Sequence, residues 1–149
     1  MAKIRVTKKF EFEMAHALWN YDGPCKNVHG HSYKLFVTVI GVPEKDPKNP
    51  KYGMVVDFGN LKRIVQEHII DRFDHTVVVS RDAPHHMLKG IEQMFDKYDV
   101  MEYQPTCENL VLDFARRIKD NLPGNVKLHN LKLLETATSY AEWYASDNA

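Results

Sequence analysis

Three histidines near the start of the chain have the residue type and the spacing of a metal site. His29 and His31 flank Gly30, and residues two apart on an extended strand point to the same side. His16 ends a run in which apolar and polar residues alternate, and it stands at an even-numbered position, as the large apolar residues of that run do. A lone histidine is usually an ordinary core residue, but three converging imidazoles with an open fourth position are typical of catalytic Zn²⁺. The pattern therefore predicts a zinc site at His16, His29 and His31.

The chain has two cysteines, Cys25 and Cys107, which are too few for a disulfide framework and usual for a reducing compartment. Cys25 lies four residues before His29, in the loop that leads to the paired histidines. There it suits a fourth metal ligand, a base or a small buried side chain. Cys107 falls in the first turn of a predicted helix, and we interpret it as a packing residue.

Two predicted strands position the histidines. The run from Ile4 to His16 alternates between apolar and polar residues, and a second alternating run extends from His31 to Gly41. Both runs are typical of half-buried strands that pair with each other. In that pairing His16 extends the apolar face of the first strand and His31 extends that of the second. All three rings can then converge.

The remaining patterns predict three helices and two further strands. Helices are predicted over Asp57 to Phe73 with Asp57 as the N-cap, over Pro84 to Tyr98, and from the cap Thr106 to Leu122; strands are predicted over Val126 to Ala137 and Ser139 to Tyr144. The resulting order is β-β-α-(α)-α-β-β. We therefore predict an α+β domain in which helices cover one face of an antiparallel sheet.

The composition, with 44% hydrophobic and 27% charged residues in 149, is that of one globular domain. Twenty basic residues balance twenty acidic residues, so the chain has no broad positive field to attract nucleic acid or an anionic membrane. No stretch approaches the roughly 20 apolar residues that a membrane span requires. We expect a cytoplasmic protein that binds neither nucleic acid nor membrane.

Several short motifs follow one another along nearly the whole chain. They are Phe12-Glu13-Met14-Ala15-His16, Cys25-Lys26-Asn27-Val28-His29-Gly30-His31, Gly53-Met54-Val55-Val56-Asp57-Phe58 with Leu61-Lys62, Asp74-His75, Pro105-Thr106-Cys107-Glu108-Asn109 and Leu134-Glu135-Thr136. In this order they resemble the motifs of the 6-pyruvoyl-tetrahydropterin synthase and 6-carboxy-5,6,7,8-tetrahydropterin synthase family.

The resemblance implies a tunnelling fold, in which protomers assemble into trimers and then a hexamer with active sites at subunit interfaces. It also implies 7,8-dihydroneopterin triphosphate as the substrate and Zn²⁺ as a Lewis acid. In such a site Cys25 acts as the thiolate base, and Asp74 and His75 form its proton relay.

Three further residues are candidates for binding the pterin. Glu135 shares the parity of Leu131 and Leu133, so its carboxylate points to the apolar side of the sheet and needs donors. The N–H groups of a pterin supply them, as the resemblance also implies, whereas the ordinary interpretation is a salt-bridged strand glutamate. Thr106 and Glu108 lie near the pterin in the family, and both also suit a helix start, as cap and as first-turn acid.

The match departs from the family pattern in two places. Three residues separate Cys25 from His29, as in the carboxy synthases of queuosine biosynthesis, whereas the animal pyruvoyl enzymes have a longer gap. Extra residues follow His75 and predict a helical insertion at about 77–104 within the single domain of residues 1–149. We therefore expect 6-carboxy-5,6,7,8-tetrahydropterin as the product, with release of acetaldehyde and triphosphate.

Several alternatives stay open at this point. One is a 6-pyruvoyl-tetrahydropterin synthase, which only eliminates triphosphate, and another is an enzyme that releases a shortened-side-chain aldehyde. A non-catalytic zinc- or pterin-binding protein is a third, and a three-histidine zinc hydrolase without need of a thiol is a fourth. The joint presence of Cys25, Asp74 and His75 favours catalysis over binding alone.

Overall fold

The computed structural model describes residues 1–149 as one six-stranded sheet with helices packed against it. The strands are β1 (Ile4–His16), β2 (His29–Gly41), β3 (Thr76–Ser80), β4 (Tyr98–Met101), β5 (Val126–Leu134) and β6 (Tyr140–Tyr144). The helices are α1 (Phe58–Val65), α2 (Asp71–Phe73), α3 (His85–Met94) and α4 (Cys107–Lys119), and a π-helical turn (Gln66–Ile70) joins α1 to α2. The strand order in the sheet is β4-β3-β1-β2-β5-β6. No helix combines the length and the apolar composition of a membrane span.

The central strands, β1 and β2, form the antiparallel ladder that the alternating sequence predicts. Its register runs from Ile4 opposite Gly41 to His16 opposite His29. Phe12 and Met14 are buried, whereas the polar residues between and beside them face solvent. β2 begins at His29 rather than at the predicted His31, because His29 still has a partner strand in β1.

Helices α1, α2 and α4 cover the face of the sheet that carries the apolar residues of β1. The Asp57 carboxylate caps α1 by accepting a hydrogen bond from the Gly59 amide at 2.8 Å, and Thr106 Oγ1 caps α4 by accepting from the Asn109 amide at 3.2 Å. The apolar stripes of these helices are buried in one core with Phe12: Leu61, Val65, Ile69, Phe73, Leu110, Phe114 and Ile118. The predicted helix after Asp57 and the predicted helix after Thr106 are confirmed, but the π-helical turn was not predicted.

The segment after His75 differs from the prediction. The predicted helix over Pro84 to Tyr98 is shorter in the structure, and the residues on either side of it form β3, parallel to β1, and β4, parallel to β3. All five residues of β3 are buried, so the strand shows no alternation that periodicity can detect. The sheet is therefore mixed rather than antiparallel, while the α+β class is confirmed.

Helix α3 has no buried residue, unlike the other helices. Met87 and Ile91 on this helix line an apolar cavity of about 310 Å³ together with Val79 of β3. Because successive side chains of a strand point to opposite faces, Val79 lies opposite Val78, which belongs to the core under α1 and α4. Helix α3 therefore borders the sheet face that the other helices leave open.

The last two strands are shorter than predicted. β5 ends at Leu134 rather than Ala137, and β6 begins at Tyr140 rather than Ser139. The amide of Glu135 donates to the carbonyl of Ser139 at 3.0 Å and closes the turn between these strands. Since Leu134 pairs with Lys34 of β2, Glu135 lies beside the histidine-bearing end of that strand.

Candidate metal centre and active site

The strand register brings the three histidines to one face of the sheet. His16 lies opposite His29, and His31 lies opposite Met14, so all three share the side of the apolar residues. Their ligand nitrogens all lie within 4.8 Å of one another, and the Nε2 atoms of His16 and His29 are 3.0 Å apart. His16 is only 1% exposed, and the other two are partly buried. The predicted convergence of the rings is confirmed, and the cluster can bind a metal ion.

Backbone carbonyls fix the ring orientation of two of these histidines. The Nδ1 atoms of His16 and His29 lie 2.7 Å from the carbonyl oxygens of Pro105 and Asn27, respectively. A carbonyl only accepts, so each Nδ1 carries the proton and each Nε2 keeps its lone pair. The Nε2 of His31 is buried without any hydrogen-bond partner, which is costly unless a ligand occupies the site. All three residues therefore fit a bound metal.

The protonation of the cluster also suits metal binding. Burial lowers the pKa of His16 to about 4. The hydrogen bond that His16 donates to the Pro105 carbonyl raises this pKa, whereas the neighbouring His29 and His31 lower it further. Burial likewise lowers the pKa of His31, although the Glu135 carboxylate opposes the shift. Both imidazoles are thus neutral at pH 7, the form in which histidine binds metals.

Glu135 contributes a carboxylate to the same face. Its Oε1 lies 3.8 Å from His31 Nε2 and its Oε2 lies 4.0 Å from His16 Nε2, and its side chain is 24% exposed. The strand parity predicted this direction, although Glu135 lies in the turn after β5 rather than in a strand. The carboxylate can accept hydrogen bonds from a ligand that reaches the metal cluster.

Cys25 lies in a short 3₁₀ turn (Pro24–Lys26) of the loop between β1 and β2, with a free and partly exposed thiol. The loop is held at its base, because the Leu18 amide donates to the Cys25 carbonyl at 3.0 Å. Gln104 clamps the adjacent Trp19: its Oε1 accepts from the Trp19 amide at 3.0 Å and its Nε2 donates to the Trp19 carbonyl at 2.7 Å. The metal-ligand cluster consists of the three histidines without Cys25, which favours a base over a fourth ligand.

Asp74 and His75 form a dyad elsewhere on the chain. Asp74 Oδ1 accepts from the Glu13 amide at 2.8 Å and lies 3.0 Å from His75 Nδ1. Burial raises the pKa of Asp74, but the Glu13 amide and His75 outweigh it, so that pKa lies below its ordinary value. His75 is 75% exposed and lines a groove that is also bordered by His31, Ala15 and Ser32. Ala15 and Ser32 alternate with the metal-site histidines along their strands and so point to the opposite face of the sheet. No hydrogen bond or ion pair joins the dyad to Cys25 within one chain.

Thr106 and Glu108 occupy the start of α4. The Thr106 hydroxyl serves as the N-cap, and Glu108 lies exposed in the first turn, where a carboxylate is favoured by the helix dipole. The capping role is confirmed, and pterin binding by either residue stays a prediction.

Cys107 is a packing residue, as the sequence indicated. Its Sγ is buried and donates to the Leu133 carbonyl at 3.2 Å. Burial, with the nearby Glu135 carboxylate, raises the pKa of this thiol to about 11. A protonated, enclosed thiol is not a nucleophile or base at neutral pH.

The sequence interpretation missed several residues that shape the site. Pro105 and Gln104 act through a carbonyl and an amide whose partners lie far away in the chain, so no local pattern could reveal them. Tyr33 is fully buried on the histidine face of β2, and its hydroxyl has no hydrogen-bond partner. Its parity with His31 is the one signal that could have identified it.

Comparison with known proteins identifies the family. The sequence profile of the family described as 6-pyruvoyl tetrahydropterin synthase matches residues 5–146. The chain belongs to this family. The matched range spans the segments that carry the three histidines, Cys25, the Asp74–His75 dyad and Glu135.

Relatives of this tetrahydropterin synthase family cover nearly the same length. The chain is 31% identical over 142 residues to the 6-carboxy-5,6,7,8-tetrahydropterin synthase of Haemophilus influenzae, covering 94% of this chain and 98% of that protein. It is 31% identical over 168 aligned positions, gaps included, to the enzyme of the same name from Aquifex aeolicus, covering 95% of this chain and 98% of that protein. It is also 31% identical over 133 residues to the dihydroneopterin monophosphate aldolase of Pyrococcus furiosus, covering 89% and 90%. Pterin lyase function is common to these names.

Solved structures share the fold. An uncharacterized protein from Wolinella succinogenes superposes with a TM-score of 0.78 at 20% identity, covering 97% of this chain and 99% of that one. The 6-pyruvoyl tetrahydropterin synthase of Caenorhabditis elegans superposes with a TM-score of 0.69 at 22% identity, covering 97% of each chain. The α+β tunnelling fold is therefore confirmed.

Proposed function

We propose that this pterin lyase is a zinc-dependent 6-carboxy-5,6,7,8-tetrahydropterin synthase. It consumes one water molecule, converts 7,8-dihydroneopterin triphosphate to 6-carboxy-5,6,7,8-tetrahydropterin and releases acetaldehyde and triphosphate, a reaction of queuosine biosynthesis. The observation that carries the proposal is the cluster of His16, His29 and His31, whose Nε2 atoms are left free for a metal next to the Glu135 carboxylate. Relatives with this name match nearly the full chain at about 30% identity.

Zinc is the metal that the donor set favours. Three neutral imidazoles without a thiolate leave a fourth position for substrate, which is the arrangement of catalytic zinc sites. Bound there, Zn²⁺ supplies Lewis acidity that makes a C–H bond next to a coordinated oxygen easier to ionise. Glu135 pairs with the pterin N–H groups and orients the ring, while Thr106 and Glu108 at the start of α4 lie along its edge.

The Cys25 thiolate takes up the proton from that C–H bond. The Asp74–His75 dyad then accepts the proton from the thiol and so regenerates the thiolate. Because the dyad lies on the opposite sheet face from the histidines, one chain does not assemble all of these groups. We assign the dyad that serves each Cys25 to a neighbouring subunit of a homo-oligomer, a trimer or hexamer. The location of the dyad supports this arrangement, since His75 is exposed and Asp74 is partly exposed on the sheet face away from the metal-binding rings.

The central experiment is to incubate the zinc-loaded protein with 7,8-dihydroneopterin triphosphate, identify the pterin by mass spectrometry and assay acetaldehyde. A 6-carboxy product with acetaldehyde supports the proposal. A pyruvoyl product without acetaldehyde would assign the protein to the pyruvoyl branch, and a shortened aldehyde product would assign it to an aldolase. Cys25→Ala is the matched variant: turnover must be lost while zinc is retained, whereas a zinc hydrolase would keep its turnover.

The two-subunit arrangement has a separate test. Cys25→Ala and His75→Ala should each be inactive alone, and mixed oligomers assembled from equal amounts should regain about a quarter of the wild-type activity, because random association creates intact sites at that frequency. Mixtures that stay inactive would show that Cys25 and His75 of one chain act together.

A further inference from the structure

Lys97, which lies just before β4, contacts the backbone of the Asp74–His75 dyad. Its Nζ donates to the carbonyl of Asp71 at 2.8 Å and to the carbonyl of Asp74 at 2.6 Å. Asp71 begins the three-residue α2 and Asp74 follows it, so both carbonyls lie in the last turn of the helical segment that starts with α1. A helix leaves its last C=O groups without partners of its own. No carboxylate pairs with Lys97, so its ammonium is committed to this turn.

The turn needs such support, because His75 has a positive φ of 60°. A non-glycine residue in this left-handed region carries an energetic cost, which persists only where surrounding contacts impose the conformation. On one side the contacts come from β1: the Glu13 amide donates to the Asp74 carboxylate, and the His75 amide donates to the Glu13 carbonyl at 2.5 Å. On the other side they come from Lys97.

Lys97 holds the dyad through its main chain as well. The Val77 amide donates to the Lys97 carbonyl at 3.1 Å, so Lys97 bonds to residues on both sides of His75. Asp99, two residues further on in β4, accepts from Arg72 Nε at 2.5 Å and ties the same helix end to the sheet. The positive charge of Lys97 also contributes to the lowered pKa of Asp74, after the Glu13 amide and His75.

We propose that Lys97 is the positioning residue of the Asp74–His75 dyad, and that the β3–α3–β4 segment serves to deliver it. The ammonium neutralises the carbonyl dipoles at the end of α2 and fixes the left-handed turn, so that the His75 ring projects toward the thiol it reloads. This proposal rests on the proposed catalytic role of the dyad. The Lys97 side chain contacts the backbone carbonyls of Asp71 and Asp74, so it acts through the dyad rather than on the reacting atoms.

The test compares Lys97→Met, which keeps the aliphatic stem, with Lys97→Arg, whose fork can donate to both carbonyls. Lys97→Met should lower kcat about 10- to 100-fold, as expected when a proton-transfer group is misplaced, with KM and bound zinc unchanged. Lys97→Arg should recover most of the loss. Lys89→Met on the exposed surface of α3 is the matched control and should behave like the wild type.

Mixed oligomers with a second variant test whether Lys97 acts on the half of the site that holds the dyad or on the half that holds Cys25. Mixed oligomers of Lys97→Met with Cys25→Ala should regain activity, because one chain supplies the thiol and the other an ordered dyad. Mixed oligomers of Lys97→Met with His75→Ala should not exceed Lys97→Met alone. The opposite pattern, or an unchanged kcat in Lys97→Met, would overturn the proposal.

Amide hydrogen exchange separates this proposal from the proposed function, since it needs no substrate. Exchange at His75 and Val77 should quicken in Lys97→Met and return toward the wild-type rate in Lys97→Arg. Unchanged exchange would overturn the positioning role whatever the reaction is. Faster exchange together with a fully active His75→Ala variant would support the positioning role and overturn the catalytic role of the dyad.

Discussion

At the scale of single residues, the metal centre depends on which ring nitrogen carries the proton. Pro105 and Asn27 each offer a carbonyl to a histidine Nδ1, which leaves Nε2 of His16 and His29 as the metal-binding atom. His31 has no such partner, and its buried Nε2 faces the Glu135 carboxylate at 3.8 Å. The site therefore presents three Nε2 lone pairs that a bound cation would accept.

Removing one ligand should release the metal without unfolding the protein. His29→Ala takes away a partly buried ring at the mouth of the site, and we expect the zinc affinity, measured by competition with a chromophoric chelator, to fall by at least about 100-fold. His85→Ala, at the exposed start of α3, should bind zinc like the wild type. Equal losses in the two variants would mean that the cluster is not the metal site.

At the scale of elements, the sequence predicted the parts whose periodicity is long and strong. β1 and β2 alternate over thirteen residues each, and α4 presents one buried stripe over a further thirteen, so local pattern and tertiary burial agree. β3 and β4 are short, with five and four residues, and β3 is buried throughout. β3 is a strand because it pairs with β1, about sixty residues away, and β4 is a strand because it pairs with β3; no local pattern encodes these contacts.

The cap of α4 separates the structural role of Thr106 from its proposed binding role. Thr106→Ala removes the hydroxyl that accepts from the Asn109 amide and should lower the free energy of unfolding by about 1 kcal/mol. Thr106→Ser keeps the cap and should keep most of this stability. Urea unfolding measures both variants, and a loss of substrate affinity in Thr106→Ser would reveal a contact with the pterin beyond capping.

The cap of α1 should make stability depend on pH. A hydrogen bond from Lys51, reinforced by the Gly59 amide, lowers the pKa of Asp57 below its ordinary value. A carboxyl group whose pKa is depressed by folding stabilises the protein above its unfolded-state pKa, and this stabilisation is lost as the pH falls through the folded-state pKa. Asparagine is also a good N-cap but has no charge. Asp57→Asn should therefore be less stable than the wild type at pH 7 and close to it at pH 3.

Urea midpoints at the two pH values measure this difference. Lys51→Met, which removes the partner cation but keeps the Gly59 hydrogen bond, should show part of the same loss of pH dependence. A stability gap that is equal at pH 3 and pH 7 would show that the charge of Asp57 does not contribute.

At the scale of the whole molecule, the sequence predicted the composition of the site better than its geometry. Parity and spacing placed His16, His29 and His31 together, because they share one ladder. The position of Asp74 and His75 on the opposite face depends on the turn that joins α2 to β3, on the β1 backbone and on Lys97. Those contacts are tertiary, so the sequence could name the dyad but could not locate it.

Because the proposed site needs groups from two chains, activity should depend on assembly. On dilution, activity per chain should fall over the same concentration range in which light scattering or mass photometry shows the oligomer dissociating. Bound zinc per chain should stay constant, since all three histidines come from β1 and β2 of a single chain. An oligomer fixed by a bifunctional cross-linker is the control and should keep its activity at the lowest concentration. A dissociated chain that turns over substrate at the full rate would show that one protomer completes the site, with the dyad serving another purpose.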